Sequence, residues 1–177
     1  MAYDTARAQT VLFGGVFFTP GFVATYFADT WSYAPTNAAS LAPFGAGCAG
    51  TAGTPALAVQ TDQRPWLGDV LTLDLTALPA SAPVFLGFGL SRTARGTVAL
   101  PFALSGLGFA GCTLLTSFDF TRVLTAAGGT ATTTTPIPSS QAIVGMPFFA
   151  QALVLDPAAN AGGATFSNAL AGTVGAR

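Results

Sequence analysis

The stretch LTLDLT at residues 71–76 decides the fold class, because leucine alternates strictly with polar residues. Side chains alternate between the two faces of a β-strand, so this stretch is predicted to be a strand with one apolar and one polar face. The same period of two recurs at Val84, Leu86, Phe88 and Leu90, and again at Leu114, Thr116, Phe118 and Phe120. Clusters of glycine, proline and serine separate these stretches, as is typical of β-sandwiches.

The second half of the chain continues this pattern. Residues 130–135 are β-branched and polar on both faces, which predicts an exposed edge strand, whereas the apolar residues 148–155 predict a central one. Residues 156–160 are a predicted turn, and residues 165–174 a closing strand. Residues 37–55 are rich in alanine, glycine and serine and are expected to be irregular.

The first 36 residues differ from the rest by their density of aromatic side chains. These are Tyr3, Phe13, Phe17, Phe18, Phe22, Tyr26, Phe27, Trp31 and Tyr33. Residues 11–13 read as a strand that ends in a turn at Gly14-Gly15, and residues 19–21 as a second turn. The segment is predicted to be a β-hairpin or three-strand ribbon with apolar residues on both faces, which is not stable alone in water.

We therefore predict an all-β chain with two parts. Residues 1–36 form an apolar β-ribbon arm, and residues 37–177 form an antiparallel, jelly-roll-like β-sandwich. The arm either packs on its own sandwich or adds to the sheet edge of a neighbouring chain. The residues expected to mediate assembly are Phe13, Phe17, Phe18, Phe22, Tyr26, Phe27 and Trp31.

Composition excludes several classes of function. Charged residues are 7% of the chain, all of them arginine or aspartate, and lysine, glutamate and histidine are absent. A nucleic-acid partner is not expected without a basic patch. Histidine-based catalysis, histidine-ligated metals and lysine Schiff bases are impossible, and we expect no enzymatic activity, no metal and no cofactor. A surface with so few charges favours association.

Three groups of side chains are candidate sites. They are Asp156 with Asn160 and Asn168, Asp62 with Asp69, and Trp66. The first group has oxygen donors for Ca²⁺, but a turn capped by its own side chains is the favoured interpretation. The second could pair carboxylates for glycoside hydrolysis, although surface aspartates are favoured. Trp66 could be a sugar-stacking platform, but a packed tryptophan is favoured.

Two segments, residues 8–28 and 96–118, are uncharged and long enough to span a membrane. Glycine and proline interrupt both, so strands are predicted instead of a membrane span. Residues 1–7 lack the apolar core of a signal peptide. If the chain is exported, it is therefore expected to be a piece of a longer precursor.

The two cysteines, Cys48 and Cys112, each lie in a glycine-flanked loop with no second cysteine nearby. In a secreted chain this pattern predicts a single disulfide, which would join the entry of the sandwich to a central strand. The alternative is a pair of unpaired buried thiols.

Two resemblances cover nearly the whole chain. The N-terminal segment carries Tyr-Asp at residues 3–4, a strand with a double glycine at residues 10–15, and a later tryptophan within residues 29–33. Together these features resemble one bacterial kelch repeat. A single repeat cannot build a propeller. The rest of the chain contains further matching segments, at residues 45–55, at Gly111-Cys112-Thr113-Leu114 and at residues 151–170. These segments resemble the C-terminal domain of large secreted proteins of planctomycete-type bacteria. That resemblance implies export, a β-sandwich and no enzymatic activity.

Together these features predict a non-catalytic structural protein, located outside the cell or at its surface. We expect it to assemble with copies of itself into a fibre or surface layer through β-strand and apolar contacts. The alternative is a secreted adhesion or carbohydrate-binding module of a larger protein, for which the partner would be a glycan.

Overall fold

The computed structural model describes residues 1–4, 9–21, 23–33 and 37–177, and within them strands dominate. The strands are β1 (Ala2–Asp4), β2 (Gln9–Thr19), β3 (Val23–Tyr33), β4 (Ser40–Phe44), β5 (Ala56–Val59), β6 (Val70–Thr76), β7 (Pro83–Gly89), β8 (Ala94–Arg95), β9 (Val98–Ala99), β10 (Phe102–Ala103), β11 (Thr113–Leu114), β12 (Phe120–Thr125), β13 (Ala131–Pro136), β14 (Pro147–Leu155) and β15 (Ala164–Thr173). Two short 3-10 helices occupy Ser105–Leu107 and Gln141–Ile143.

Two antiparallel sheets form the main body. A five-stranded sheet has the order β12-β7-β14-β15-β4, and a three-stranded sheet has the order β13-β6-β5. All neighbouring strands in both sheets are antiparallel. This arrangement confirms the predicted all-β sandwich. The proposed boundary between arm and sandwich falls beside residues 34–36, which lie outside the described residues.

The core between the sheets is built from the residues whose alternation predicted it. From β6, Leu71, Leu73 and Leu75 are each 1% exposed. They belong to one cluster with buried side chains of β7, β14 and β15, namely Val84, Leu86, Phe88, Ala150, Ala152, Val154 and Leu170. Each leucine buried in this way contributes about 1.5–3 kcal/mol relative to an exposed one.

The outer face of the five-stranded sheet is also covered, by the long segment between β7 and β12. Gly87 lies on this face, and a Cβ there would overlap the ring of Phe118. A Cβ at Gly89 would likewise approach the Ser117 side chain too closely. Glycines therefore alternate with large residues in β7 because the sheet accepts bulky core side chains on one face and a closely packed chain segment on the other.

Three central features of the sequence pattern are confirmed. The threonine-rich β13 is an edge strand, and β14 lies between β7 and β15. Residues 156–160 form the turn between β14 and β15, closed by the amide of Asp156, which donates to the Gly163 carbonyl at 2.9 Å.

Two predictions about the sandwich were wrong. Residues 40–44, expected to be irregular, form the edge strand β4, because Leu41 packs against the core and Phe44 makes an edge-on contact with Phe149. The alternating run from Leu114 to Phe120 is not one strand. It breaks at Phe118, whose φ of 52° turns the chain from the covering segment into β12.

Leu90 also departs from its pattern. It continues the alternation of β7 but lies just beyond the strand and is 56% exposed.

Replacing Leu73 with alanine should lower the free energy of unfolding by about 2–5 kcal/mol, because the cavity lies between two packed sheets. Chemical denaturation should show a lower midpoint with an unchanged slope. Val70→Ala is the matched control on the same strand, since Val70 is 52% exposed and its truncation should cost less than about 0.5 kcal/mol. Equal losses in the two variants would contradict this account of the core.

Candidate assembly surface

The N-terminal segment is a long β-hairpin with a short third strand. β2 and β3 have 11 residues each and pair antiparallel across a turn at Pro20-Gly21. β1 pairs with the outer edge of β2. The predicted turn at Gly14-Gly15 is wrong, because β2 continues through these glycines. Gly14 has a φ of 70°, and the pairing register shifts beside it, so the glycine accommodates an irregularity within the hairpin.

Both faces of this hairpin are apolar and exposed. Phe17 and Phe18 are consecutive in β2, so they point to opposite faces, and they are 57% and 56% exposed. The other large exposed residues of the hairpin are Leu12, Phe13, Val16, Val23, Tyr26, Phe27, Trp31 and Tyr33. Phe22, the remaining predicted assembly residue, lies outside the described residues.

Exposure of these side chains is costly for an isolated chain. Covering one large apolar side chain contributes about 1.5–3 kcal/mol, and a two- or three-stranded ribbon without a covered face is marginal in water. A contiguous apolar surface of this kind typically marks an interaction site. Packing of the arm on its own sandwich, one of the two predicted arrangements, would have covered part of this surface, whereas these side chains are exposed in the single chain.

The hairpin carries little charge to oppose association. Within its described residues the charged side chains are Asp4 and Asp29. The Asp29 carboxylate accepts a hydrogen bond from Trp31 Nε1 at 2.7 Å, which fixes the orientation of the indole ring on the strand.

The candidate calcium group does not converge on one point. Asp156 is 3% exposed, and its carboxylate accepts from the Thr51 amide at 2.7 Å and from the Thr51 hydroxyl at 3.0 Å. Asn160 donates to the Ala164 carbonyl, and the Asn168 side chain bonds to the main chain of Leu57. These three side chains therefore hold loops and strands together.

Trp66 is packed, as the favoured interpretation expected. It is half-buried, and the guanidinium of Arg177 lies 5.2 Å from the centre of its ring. Arg177 also forms an ion pair of 2.9 Å with Asp69. Asp62 is exposed in a turn with a φ of 64°. The tryptophan face is therefore occupied by an arginine, and the two aspartates have separate roles.

The predicted disulfide between Cys48 and Cys112 is confirmed, with its residues 64 positions apart. The Cys48 amide donates to the Phe166 carbonyl at 2.9 Å, which fixes the loop after β4 against β15. Cys112 lies in the segment that covers the outer face of the five-stranded sheet, directly before β11, and not in a central strand as expected. The disulfide therefore ties the covering segment to the sheet edge, within a second apolar cluster that includes Leu104 and Phe166.

A hydrogen-bonded clasp that the sequence did not reveal closes the ends of this covering segment. The carboxylate of Asp119 accepts from the Ser117 hydroxyl and from the Leu90 amide, each at 2.7 Å. These two bonds, with the positive charge of Arg95, lower the pKa of Asp119 below its ordinary value. Ser117 also bonds to Ser91 at the start of the segment. The only sequence signal was a serine two residues before an aspartate.

Among the described residues, no three histidine, cysteine or acidic side chains lie close enough together to hold a metal ion. That part of the chain also contains no helix with the length and apolarity needed to cross a membrane.

Family models, curated proteins and solved structures were all compared with the chain, and none of them matches. The resemblances to a kelch repeat and to a domain of secreted planctomycete-type proteins therefore stay predictions.

Replacing both Cys48 and Cys112 with serine should lower the free energy of unfolding by about 4 kcal/mol, because a long loop is no longer closed in the unfolded chain. Thermal and urea unfolding would measure the loss. A reductant should destabilise the parent protein and leave the double variant unchanged. An equally stable double variant would show that packing alone holds the covering segment.

Asp119→Asn should destabilise the protein at neutral pH. A carboxyl whose pKa is lowered on folding stabilises the native state above its ordinary pKa of 3.8, and this contribution is lost as the pH falls through the lowered value. The difference between variant and parent should therefore shrink in acid, as measured by urea unfolding across the acidic range. In a Ser117→Ala background the Asp119→Asn effect should be smaller. A pH-independent difference would contradict the proposed clasp.

Proposed function

We propose that this protein is a non-catalytic, extracellular structural protein that assembles with copies of itself into a fibre or surface layer. The observation that carries the proposal is the N-terminal hairpin, whose two apolar faces are both exposed in the single chain. A second copy of the same chain is the simplest partner, because it carries the same exposed apolar surface. Assembly would cover the surface that the isolated chain leaves in water.

The sandwich is consistent with this role because it is stabilised without contacts from the hairpin. Its core, its second apolar cluster and its disulfide involve residues after position 37. The hairpin is therefore free to make contacts elsewhere without opening the sandwich. The low charge of the whole chain, with a net charge of −1, provides little repulsion between copies.

An extracellular location agrees with the disulfide, since such bonds form and persist in oxidising compartments. A non-catalytic role agrees with how the aspartates are used. Asp156 holds Thr51, Asp119 clasps the covering segment, and Asp69 pairs with Arg177. Each of these carboxylates has a structural partner.

The full-length triple variant Phe17→Thr/Phe18→Thr/Trp31→Thr should remain folded and lose assembly. Threonine is favoured in strands, so the change removes apolar area from both faces of the hairpin while preserving its strand propensity. Sedimentation and negative-stain microscopy at a concentration where the parent assembles should show a monomer for the variant. Unchanged thermal unfolding would show that the sandwich is intact.

A matched variant, Val98→Thr/Leu107→Thr/Leu155→Thr, changes three apolar residues of the sandwich that are also exposed and should assemble like the parent. A parent chain that stays monomeric at high concentration would contradict the proposal. So would a glycan that binds the monomer through the same hairpin residues without any assembly, which would favour an adhesion module.

A further inference from the structure

We propose that the hairpin of one copy occupies an apolar groove between β12 and β13 of the next copy, so that assembly proceeds head to tail. This inference rests on the proposed function and names the surface that receives the hairpin.

The groove lies where the two sheets of the sandwich separate at one edge. It has a volume of about 360 Å³, and its lining is almost entirely apolar. Phe88 and Leu90 line it from the end of β7, Phe120 from β12, Ile137 from the end of β13, and Met146 and Phe148 from the start of β14. The groove therefore borders the sandwich core, whose residues Leu71 and Val174 remain buried beneath it.

Aromatic side chains suit this volume. An apolar cavity of about 150 Å³ is large enough to bind benzene. A groove of about 360 Å³ can accordingly accept more than one ring. The hairpin displays such rings on both faces, including Phe17, Phe18 and Trp31, and they are rigid groups that lose little conformational entropy on binding.

The main chain at the groove can also accept a strand. β12 is an edge strand of the five-stranded sheet, and Phe120 and Val123 on it are 60% and 63% exposed. β3 is an edge strand of the hairpin. An exposed, apolar edge is a template for pairing with another strand. Pairing of β3 with β12 would extend the five-stranded sheet across the mouth of the groove.

Charge at the groove complements the hairpin. Arg122 lines the groove and donates to the Thr133 hydroxyl at 3.0 Å and to the Thr134 carbonyl. Asp29, of opposite charge, lies on β3, the strand proposed to pair at this site.

The donor and acceptor surfaces are different parts of the chain, which determines the kind of assembly. A contact between unlike surfaces repeats from copy to copy and gives a ring or an open filament, whereas a contact between like surfaces closes at a dimer. A hairpin seated in the groove of the next copy therefore favours a fibre over a dimer.

The test uses two full-length variants that each disable one half of the contact. Leu90→Arg/Met146→Arg places charges at the exposed mouth of the groove and leaves the hairpin intact. The hairpin variant Phe17→Thr/Phe18→Thr/Trp31→Thr leaves the groove intact. Each alone should be monomeric, and their equimolar mixture should form a one-to-one dimer that grows no further, as measured by native mass spectrometry. The matched control Val98→Arg/Leu107→Arg should assemble like the parent.

Dimer formation in the mixture also shows that both variants are folded well enough to bind. If the groove variant assembles like the parent while the hairpin variant does not, the groove is not the acceptor and the proposed function stands. If both variants are monomeric and their mixture does not dimerise, the head-to-tail contact is wrong. A small apolar molecule that co-purifies with the hairpin variant, and is lost from the groove variant, would also overturn it. If the parent itself does not assemble, the proposed function fails.

Discussion

Phe118 packs against Gly87 on the outer face of the five-stranded sheet, while Leu86, the next residue to Gly87 in β7, faces the core on the inner side. The rest of the sandwich depends on this double cover, because a sheet that is apolar on both faces needs two layers to exclude water. The three-stranded sheet supplies one layer. The segment between β7 and β12 supplies the other, and because that segment has little regular structure it is held by a disulfide and by the Asp119 clasp.

The N-terminal hairpin also needs a covering layer on each of its two faces. Its strands also carry apolar side chains on both faces, and among the described residues these side chains stay exposed in the single chain. The sandwich has a matching feature, since β12 is an edge strand and an apolar groove lies beside it. The proposed assembly joins these two exposed surfaces, and each copy completes its neighbour. The scarcity of charge, unusual among globular domains, is compatible with such close packing between chains.

The sandwich was predictable where side chains alternate locally, as in Leu71, Leu73 and Leu75, because burial of one face leaves a period of two. The glycine-flanked cysteines likewise predicted their pairing. Strand β4 was missed because its position depends on distant partners, Leu41 on the core and Phe44 on Phe149. The groove was also missed, since it arises from the separation of two sheets and no local pattern encodes that. The aromatic density of the hairpin predicted its apolar faces, but only the structure shows that the sandwich leaves them exposed.

Hydrogen exchange of the hairpin amides as a function of protein concentration tests the central claim most directly. The hairpin should exchange rapidly in dilute protein and become protected as concentration rises, because neighbouring copies then cover it. Amides of β6 should be equally protected throughout, since the sandwich core does not depend on assembly. Protection of residues 9–21 and 23–33 that is the same at every concentration would show that the hairpin does not depend on a second copy, and would contradict the account.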